Sequence, residues 1–284
     1  MNILIADSGS TKTHWELLNI QNKTTTTYIT KGINPFYISS NEITALLKTE
    51  LPDELQNLPI EKIFFYGAGC SQPEKIEAVA NALENVFNAK SVEVEHDLLA
   101  AAKATCKNEQ GITCILGTGS NSCLYNGNNI TDNVPSLGFL LGDEGSGAWF
   151  GRKLLQAFFY RELPNQLQNA FLKKYPFSKE AILNSIYSAK NPNSVVASYM
   201  RFISENNKQP FIIELLFSGF KEFIERTVLK YENHNLLPIH FIGSVAFYNK
   251  NVLTVALEYY NLKTGNILQS PMEGLITYHL EKNY

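Results

Sequence analysis

The stretch with the clearest chemical potential is Asp7-Ser8-Gly9-Ser10-Thr11-Lys12-Thr13. It follows the apolar run Ile3-Leu4-Ile5-Ala6 and precedes Trp15-Glu16-Leu17-Leu18, so it reads as a strand, a tight polar turn and a second strand. Gly9 has no Cβ, so the backbone can turn sharply there and a ligand can come close. Ser10, Thr11 and Thr13 offer hydroxyls beside backbone N–H groups, and Lys12 adds positive charge. Such a turn cradles anions. Asp7 is an odd guest in a phosphate site unless a cation lies between, and a carboxylate holding hydrated Mg²⁺ against a polyphosphate accounts for it. The residues alone equally allow an ordinary β-hairpin with a polar turn.

A second such unit begins at Thr113. Thr113-Cys114-Ile115-Leu116 reads as a strand, Gly117-Thr118-Gly119-Ser120 as a tight turn, and Ser122-Cys123-Leu124-Tyr125 as a returning strand. Asn126-Gly127-Asn128 makes a hairpin turn before a third strand over 129–134. Two copies of one unit point to duplication, with two phosphate turns facing each other across a cleft. Asp97 ends a strand and begins a helix, as an N-cap or as a carboxylate facing a substrate hydroxyl. His96 reads as its neighbour.

These residues need elements to position them. Residues 2–7, 13–20 and 24–31 read as strands, and Lys62–Tyr66 and 92–94 as two more. Helices are expected over 40–50, 73–88 and 98–104 in the first half. In the second half they are expected over 146–161, 178–190, 193–206, 209–232 and 249–260, with Pro271 opening a closing helix that ends at 281. Asn191-Pro192-Asn193 is expected to cap one of them. Ile239–Ile242 is a strand leading into Gly243-Ser244-Val245-Ala246, and 266–268 is a short strand. The expected domains are 1–112 and 113–270, with the closing helix packing back on the first.

The 284 residues are 44% hydrophobic and 18% charged, which fits a globular chain of two domains with a sizeable core. A net charge of −3 gives no basic field for nucleic acid or an anionic membrane. No apolar run reaches the roughly 20 residues that span a bilayer. No charged region precedes the first apolar run and Asp7 cuts that run short, so no signal peptide is expected. Cys70, Cys106, Cys114 and Cys123 form no CxxC pair and read as reduced cysteines of a cytoplasmic protein. The large apolar residues over 193–232 fit either a homodimer face or a core.

Taken together, the motifs resemble those of the actin-like ATPase superfamily of actin, sugar kinases and heat-shock chaperone ATPases. Asp7-x-Gly9-x-Thr11-Lys12-Thr13 looks like its first phosphate motif, and Gly117-Thr118-Gly119-Ser120-Asn121 like its second. Gly243-Ser244-Val245-Ala246 is similar to its adenosine motif. Gly142-Asp143-Glu144-Gly145-Ser146-Gly147 before an aromatic helix, with Pro271-x-x-Gly274, resembles the branch holding N-acetylglucosamine kinase and the BadF/BadG-type ATPases. The resemblance runs along essentially the whole chain. It implies an α/β fold, two ribonuclease H-like domains of duplicated actin-like ATPase architecture around a nucleotide cleft.

It also implies ATP and Mg²⁺ as cofactors and a small amino sugar as substrate. Asp7 would hold the metal. Gly9, Ser10, Thr11, Lys12 and Thr13 would take the β- and γ-phosphates, with Gly117, Thr118 and Gly119 closing on them, and Gly243, Ser244 and Val245 would seat the adenosine. Asp97 would be the general base. Asn34, Ser120, Asn121, Asp143 and Glu144 are the sugar candidates, since such side chains orient hydroxyls by hydrogen bonding. Taken alone, Asn34 also reads as a pre-proline turn residue, and Glu144 as a first-turn charge that complements a helix dipole. The expected reaction is phosphorylation of the 6-hydroxyl of N-acetylglucosamine or a close relative such as N-acetylmuramic acid. A BadF-type activator ATPase would hold an iron–sulfur cluster near Cys114, but its partner cysteine should come tens of residues later and the last one is Cys123. A non-catalytic sugar sensor is disfavoured by the absence of a basic stripe and by the presence of both Asp7 and Asp97.

Overall fold

The computed structural model describes residues 1–9 and 11–282. Ser10, singled out above, lies outside the described residues. The chain divides into two compact units. The first comprises Met1–Asn108, Gly127–Asn129 and Pro271–Tyr284, and the second Glu109–Asn126 and Ile130–Ser270.

In the first unit the order is β1 (Asn2–Ser8), β2 (Lys12–Asn19), β3 (Thr24–Lys31), α1 (Ser40–Glu50), α2 (Asp53–Asn57), β4 (Lys62–Gly67), α3 (Pro73–Glu84), β5 (Val92–His96) and α4 (Asp97–Cys106). Among the described residues the sheet has five strands in the order β3-β2-β1-β4-β5. The first three strands are an antiparallel meander because short polar turns join them, while β4 and β5 run parallel to β1 because helices make the connections. β1 is central and nearly all buried, so it is apolar almost to its end. Its last residues, Asp7 and Ser8, emerge where the parallel strands end.

The second unit continues with β6 (Gln110–Leu116), β7 (Ser120–Asn126), β8 (Ile130–Asp132), α5 (Gly138–Leu141), α6 (Gly147–Phe159), α7 (Asn165–Lys174), α8 (Lys179–Tyr187), α9 (Pro192–Ala197), α10 (Met200–Glu205) and α11 (Pro210–Arg226). A 3₁₀ turn over Val228–Lys230, β9 (Pro238–Ile242), α12 (Ser244–Tyr248), α13 (Lys250–Tyr259) and β10 (Lys263–Leu268) complete it. Its strand order, β10-β9-β6-β7-β8, is the first sheet read from the other end, with the same sense at every junction. The duplication is therefore one of topology. Its core gathers Phe150, Phe171, Phe220, Phe223 and Phe241, all fully buried. Most large apolar side chains over 193–232 lie in that core.

The closing helix α14 (Met272–Glu281) belongs to the first unit, where Gly274 lies against the Ala104 backbone of α4. A Cβ on Gly274 would stand 2.4 Å from the Ala104 carbonyl oxygen.

Several expected elements differ. The helix over 73–88 ends at Glu84, and Val86 and Phe87 bury their side chains from irregular chain. Residues 193–206 form two short helices, because the chain turns at Ser198 and Tyr199. Asn191 precedes the first of them but its side chain makes no cap bond. The long helix ends at Arg226 and only a 3₁₀ turn continues it. Helices α2, α5, α7 and α12 were not expected from periodicity, as most are one turn long and too short to show a period. Asp97 is not the N-cap of α4: His96 is, its Nδ1 accepting from the Leu98 N–H at 3.1 Å, and Asp97 is the first helical residue.

Candidate active site

In the first unit the candidate residues gather where β1, β4 and β5 end. The turn after β1 is closed by the Gly9 N–H donating to the Lys12 carbonyl at 3.0 Å. Gly9, Thr11 and Lys12 are exposed. Thr13 is wholly buried, and its hydroxyl pairs with Ser8 Oγ at 2.7 Å and donates to the Lys31 carbonyl at 3.1 Å. Ser8 Oγ also accepts from the Ile33 N–H at 2.9 Å. Thr13 therefore builds the turn from beneath, and its hydroxyl does not face outward.

Asp7 sits beside Tyr66 across the β1–β4 pairing. Burial, and then the Asp97 carboxylate, push its carboxyl up to about 7, with Lys12 opposing. A buried carboxyl whose charging is made costlier by a second carboxylate is an arrangement a divalent cation relieves. The donor chemistry at Asp7 therefore fits Mg²⁺.

Asp97 carries the most telling geometry. Its Oδ1 is buried and has no hydrogen-bond partner. His96 Nδ1 lies 2.9 Å away, but that nitrogen already accepts the Leu98 N–H. One ring nitrogen cannot accept from the amide and donate to the carboxylate together. With His96 neutral, the cap holds and Oδ1 keeps an unused lone pair. Burial disfavours the protonated ring, yet the Asp97 carboxylate, as bond partner and as charge, outweighs this and raises the His96 pKa.

Asn34 begins a turn through Pro35. Its Oδ1 accepts from the Phe36 N–H at 3.0 Å and its carbonyl from the Tyr37 N–H at 2.9 Å. The side-chain NH₂ remains to donate. Gly69, at φ +84°, lies against it; a Cβ there would stand 2.5 Å from Asn34 Oδ1.

In the second unit, the turn after β6 is held by the start of α6. The Gly147 and Ala148 N–H groups donate to the Gly117 and Thr118 carbonyls at 2.8 and 3.0 Å, and the Gly117 N–H donates to the Gly119 carbonyl at 3.0 Å. Ser146 caps α6, accepting from the Trp149 N–H at 3.2 Å. Asp143, at φ +58°, is the hub of the preceding loop. Its Oδ1 accepts from the Ser120 N–H at 3.2 Å and the Ser136 hydroxyl at 3.4 Å. Burial raises its pKa despite those two donors. Gly119 leaves room for it, since a Cβ there would stand 3.0 Å from Asp143 Oδ2.

Ser120, Asn121, Asp143 and Glu144 line one pocket of about 420 Å³, within the range of small-molecule sites. Val134, Ser136, Leu137, Phe223, Arg226 and Lys230 complete much of its wall. Those six went unnoticed in the sequence because they carry no motif and come from segments up to about a hundred residues apart. Glu144 is paired with Arg226 at 3.4 Å, and Arg226 also with Glu222 at 2.9 Å. Asn121 Oδ1 accepts from the Ser122 N–H at 2.9 Å and from Asn133 Nδ2 at 3.1 Å.

Gly243 follows β9 at φ +121°, where a Cβ would stand 2.3 Å from the Leu116 carbonyl oxygen. Its N–H is spent on the Leu268 carbonyl at 3.0 Å. Ser244 is exposed and Val245 is buried, so Val245 offers only its backbone. The helix that follows, α12, has five residues, so the dipole expected to favour an α-phosphate here is small.

The sequence profile of the BadF/BadG/BcrA/BcrD ATPase family matches residues 6–234. The chain belongs to this family. A protein of Porphyromonas gingivalis named provisionally as an N-acetylglucosamine kinase is 41% identical, with 99% of each chain covered and a TM-score of 0.92. One of Chromobacterium violaceum, provisionally named likewise, is 17% identical over 99% of each chain with a TM-score of 0.72. A ROK family glucokinase of Streptomyces griseus, solved with glucose and AMPPNP, is 14% identical over 98% of each chain with a TM-score of 0.55. The last two share the fold. No functionally curated protein matches the sequence. Cys114, the activator-type candidate, lies fully buried within β6. Among the described residues no helix is long and apolar enough to cross a membrane.

Proposed function

We propose that the chain is an ATP-dependent amino-sugar kinase that phosphorylates the 6-hydroxyl of N-acetylglucosamine or a close relative. The observation that carries this reading is the buried Asp97 Oδ1, whose neighbour His96 Nδ1, at 2.9 Å, gives it no donor while the neutral ring accepts the Leu98 N–H. Burying such an oxygen unpaired is costly unless a ligand pairs with it. A sugar hydroxyl is the partner that suits it. The 41% identity to the Porphyromonas gingivalis protein supports the same reading.

Phosphoryl transfer calls for positioning and charge neutralisation. Asp97 accepts the proton of the attacking hydroxyl as the new P–O bond forms. In the first unit the turn over 9–12, with Lys12, suits phosphate oxygens, and in the second unit the Gly117–Gly119 turn does likewise. Asp7 holds Mg²⁺, which neutralises phosphate charge when bound. Asp143 accepts from sugar hydroxyls, Asn34 donates to them, and Ser120 and Asn121 lie beside the acetamido or hydroxyl groups. Glu144, paired to Arg226, shapes the pocket wall.

N-acetylmuramic acid is the second reading. Lys230 on the pocket wall favours it, since a lactyl carboxylate needs a cation. Arg226 is committed to Glu222 and Glu144.

The test is ADP release with MgATP and a panel of N-acetylglucosamine, N-acetylmuramic acid, glucosamine, N-acetylmannosamine, glucose and no sugar. Turnover that depends on one N-acetylated sugar is expected. ATP hydrolysis indifferent to sugar would replace the kinase with an activator ATPase, and sugar binding without turnover would replace it with a sensor.

A further inference from the structure

A single exposed phenylalanine carries no message, because apolar side chains are common on protein surfaces. Phe36 differs in how it is held. It is half exposed, at 50%. Its backbone N–H is fixed by Asn34 Oδ1 at 3.0 Å, and Pro35 before it is buried. The ring edge rests on Gly69, where an added Cβ would stand 2.9 Å from Phe36 Cδ2. Lys75, from α3, places its ammonium 5.1 Å from the ring centroid and donates to the Pro35 carbonyl at 2.8 Å. Three separate contacts thus immobilise a ring that is left partly bare. That is how a protein prepares an aromatic surface for a ligand, since ordering the ring beforehand removes the entropy cost at binding.

The position of the ring says which ligand. Asn34, with its free amide donors, is two residues away. Gly69 is followed by Cys70, whose N–H donates to the Gly67 carbonyl at 3.2 Å, and Gly67 pairs across β4 and β5 with His96, the residue before Asp97. Ring, amide and the Asp97 carboxylate therefore belong to one cluster at the ends of β4 and β5, in the first unit.

We propose that Phe36 is the stacking surface for the substrate and that it selects a closed pyranose ring. The C–H bonds on one face of a pyranose are weakly positive and suit the negative face of an aromatic ring. An open-chain polyol presents no such face. The assignment rests on the sugar-kinase reading and narrows its substrate class to cyclic hexosamines with an exocyclic acceptor hydroxyl. Asn34 sets the ring's hydroxyl edge, Phe36 covers its apolar face, and Asp97 takes the proton.

The test combines kinetics with an equilibrium probe. Phe36→Ala is expected to raise the sugar KM about tenfold and leave the ATP KM unchanged, as the loss of one stacked pair implies. Phe36→Leu, which keeps bulk without the ring, is expected to fall between. Tyr37→Ala, at an equally exposed neighbour that does not touch Gly69, is expected to leave the sugar KM as it was. Phe36→Trp adds an exposed indole to a protein whose Trp15 and Trp149 are buried. N-acetylglucosamine without nucleotide should shift the emission of that indole saturably, and N-acetylglucosaminitol, the open-chain form, should not. A sugar KM within twofold of the parent in Phe36→Ala, an unmoved indole emission in Phe36→Trp, or an equal loss in Tyr37→Ala would each overturn the proposal and leave the kinase reading standing. No sugar-dependent turnover in the parent protein would overturn both.

Discussion

Two glycines of the second unit contrast a position the fold closes to any Cβ with one that the fold leaves open and the proposed function assigns to a ligand. Gly243 sits at φ +121° and ψ 156°, a region open essentially to glycine alone. A Cβ there would lie 2.3 Å from the Leu116 oxygen, 2.7 Å from its carbon and 3.2 Å from the Gly117 nitrogen. These are backbone atoms of β6 and the turn after it, so no side chain can swing aside. Relieving a carbon–oxygen contact needs a separation of about 3.3 Å, hence a shift of roughly 1 Å between two paired strands. Gly243→Ala therefore costs about 1–3 kcal/mol in backbone strain and a similar amount, about 1–3 kcal/mol, in overpacking. Taking about 4 kcal/mol in total, the melting transition of this unit should fall by roughly 10 °C. Gly117 is the contrast: nothing lies within 4 Å of a Cβ placed there. Gly117→Ala should melt within about 2 °C of the parent. Its methyl group, however, would fill the space assigned to phosphate oxygens under the proposed function, so on that reading ATP affinity should drop tenfold or more. Differential scanning fluorimetry and ATP titration calorimetry read the two effects. An unshifted melting point in Gly243→Ala would refute the contact argument. Unchanged ATP affinity in Gly117→Ala would refute the role of that turn.

Three further outcomes are expected. Asp97→Asn should keep nucleotide binding and lower kcat by about 10²–10⁴; near-parent turnover would remove Asp97 from the base role. The second concerns pH: His96 holds its proton more strongly than the usual histidine value of 6.5, because the Asp97 carboxylate outweighs burial. Below its raised pKa the charged ring donates to Asp97 and occupies it, so kcat/KM should fall as pH drops through a value above 6.5, and His96→Gln should move that acid limb; identical pH–rate profiles would contradict this. Gly274→Val would drive a side chain into the Ala104 backbone and loosen α14, which Tyr66 Oη and His279 Nε2 join at 3.0 Å to β4. A loss of about 3 kcal/mol is expected in urea unfolding, with faster amide exchange in α14; exchange unchanged throughout α14 would count against it.

The strands and the two glycine-rich turns between them were legible because their signals are local. Apolar runs broken by glycine and hydroxyl residues mark a strand-turn-strand whatever the rest of the chain does. Asp97 was legible as a strand-end carboxylate, but its cap assignment was not: His96 takes the Leu98 amide, a choice made by ring placement between two partners. Thr13 looked like a phosphate contact from its spacing, yet pairing with β3 turned its hydroxyl inward to Ser8 and Lys31. Helices α5 and α12 were invisible because four or five residues cannot display a helical period.

By itself, then, the sequence determined the duplicated strand-turn-strand units and the family, since each motif depends on residues within a few positions of one another and the motifs recur in order along the chain. Tertiary structure alone decided that Phe223, Arg226 and Lys230 share a pocket with Ser120 and Asp143. It alone buried Asp97 Oδ1 beside the His96 ring and set Phe36 on Gly69. Those facts depend on how packed elements exclude water and align side chains from distant segments, and no local pattern encodes that.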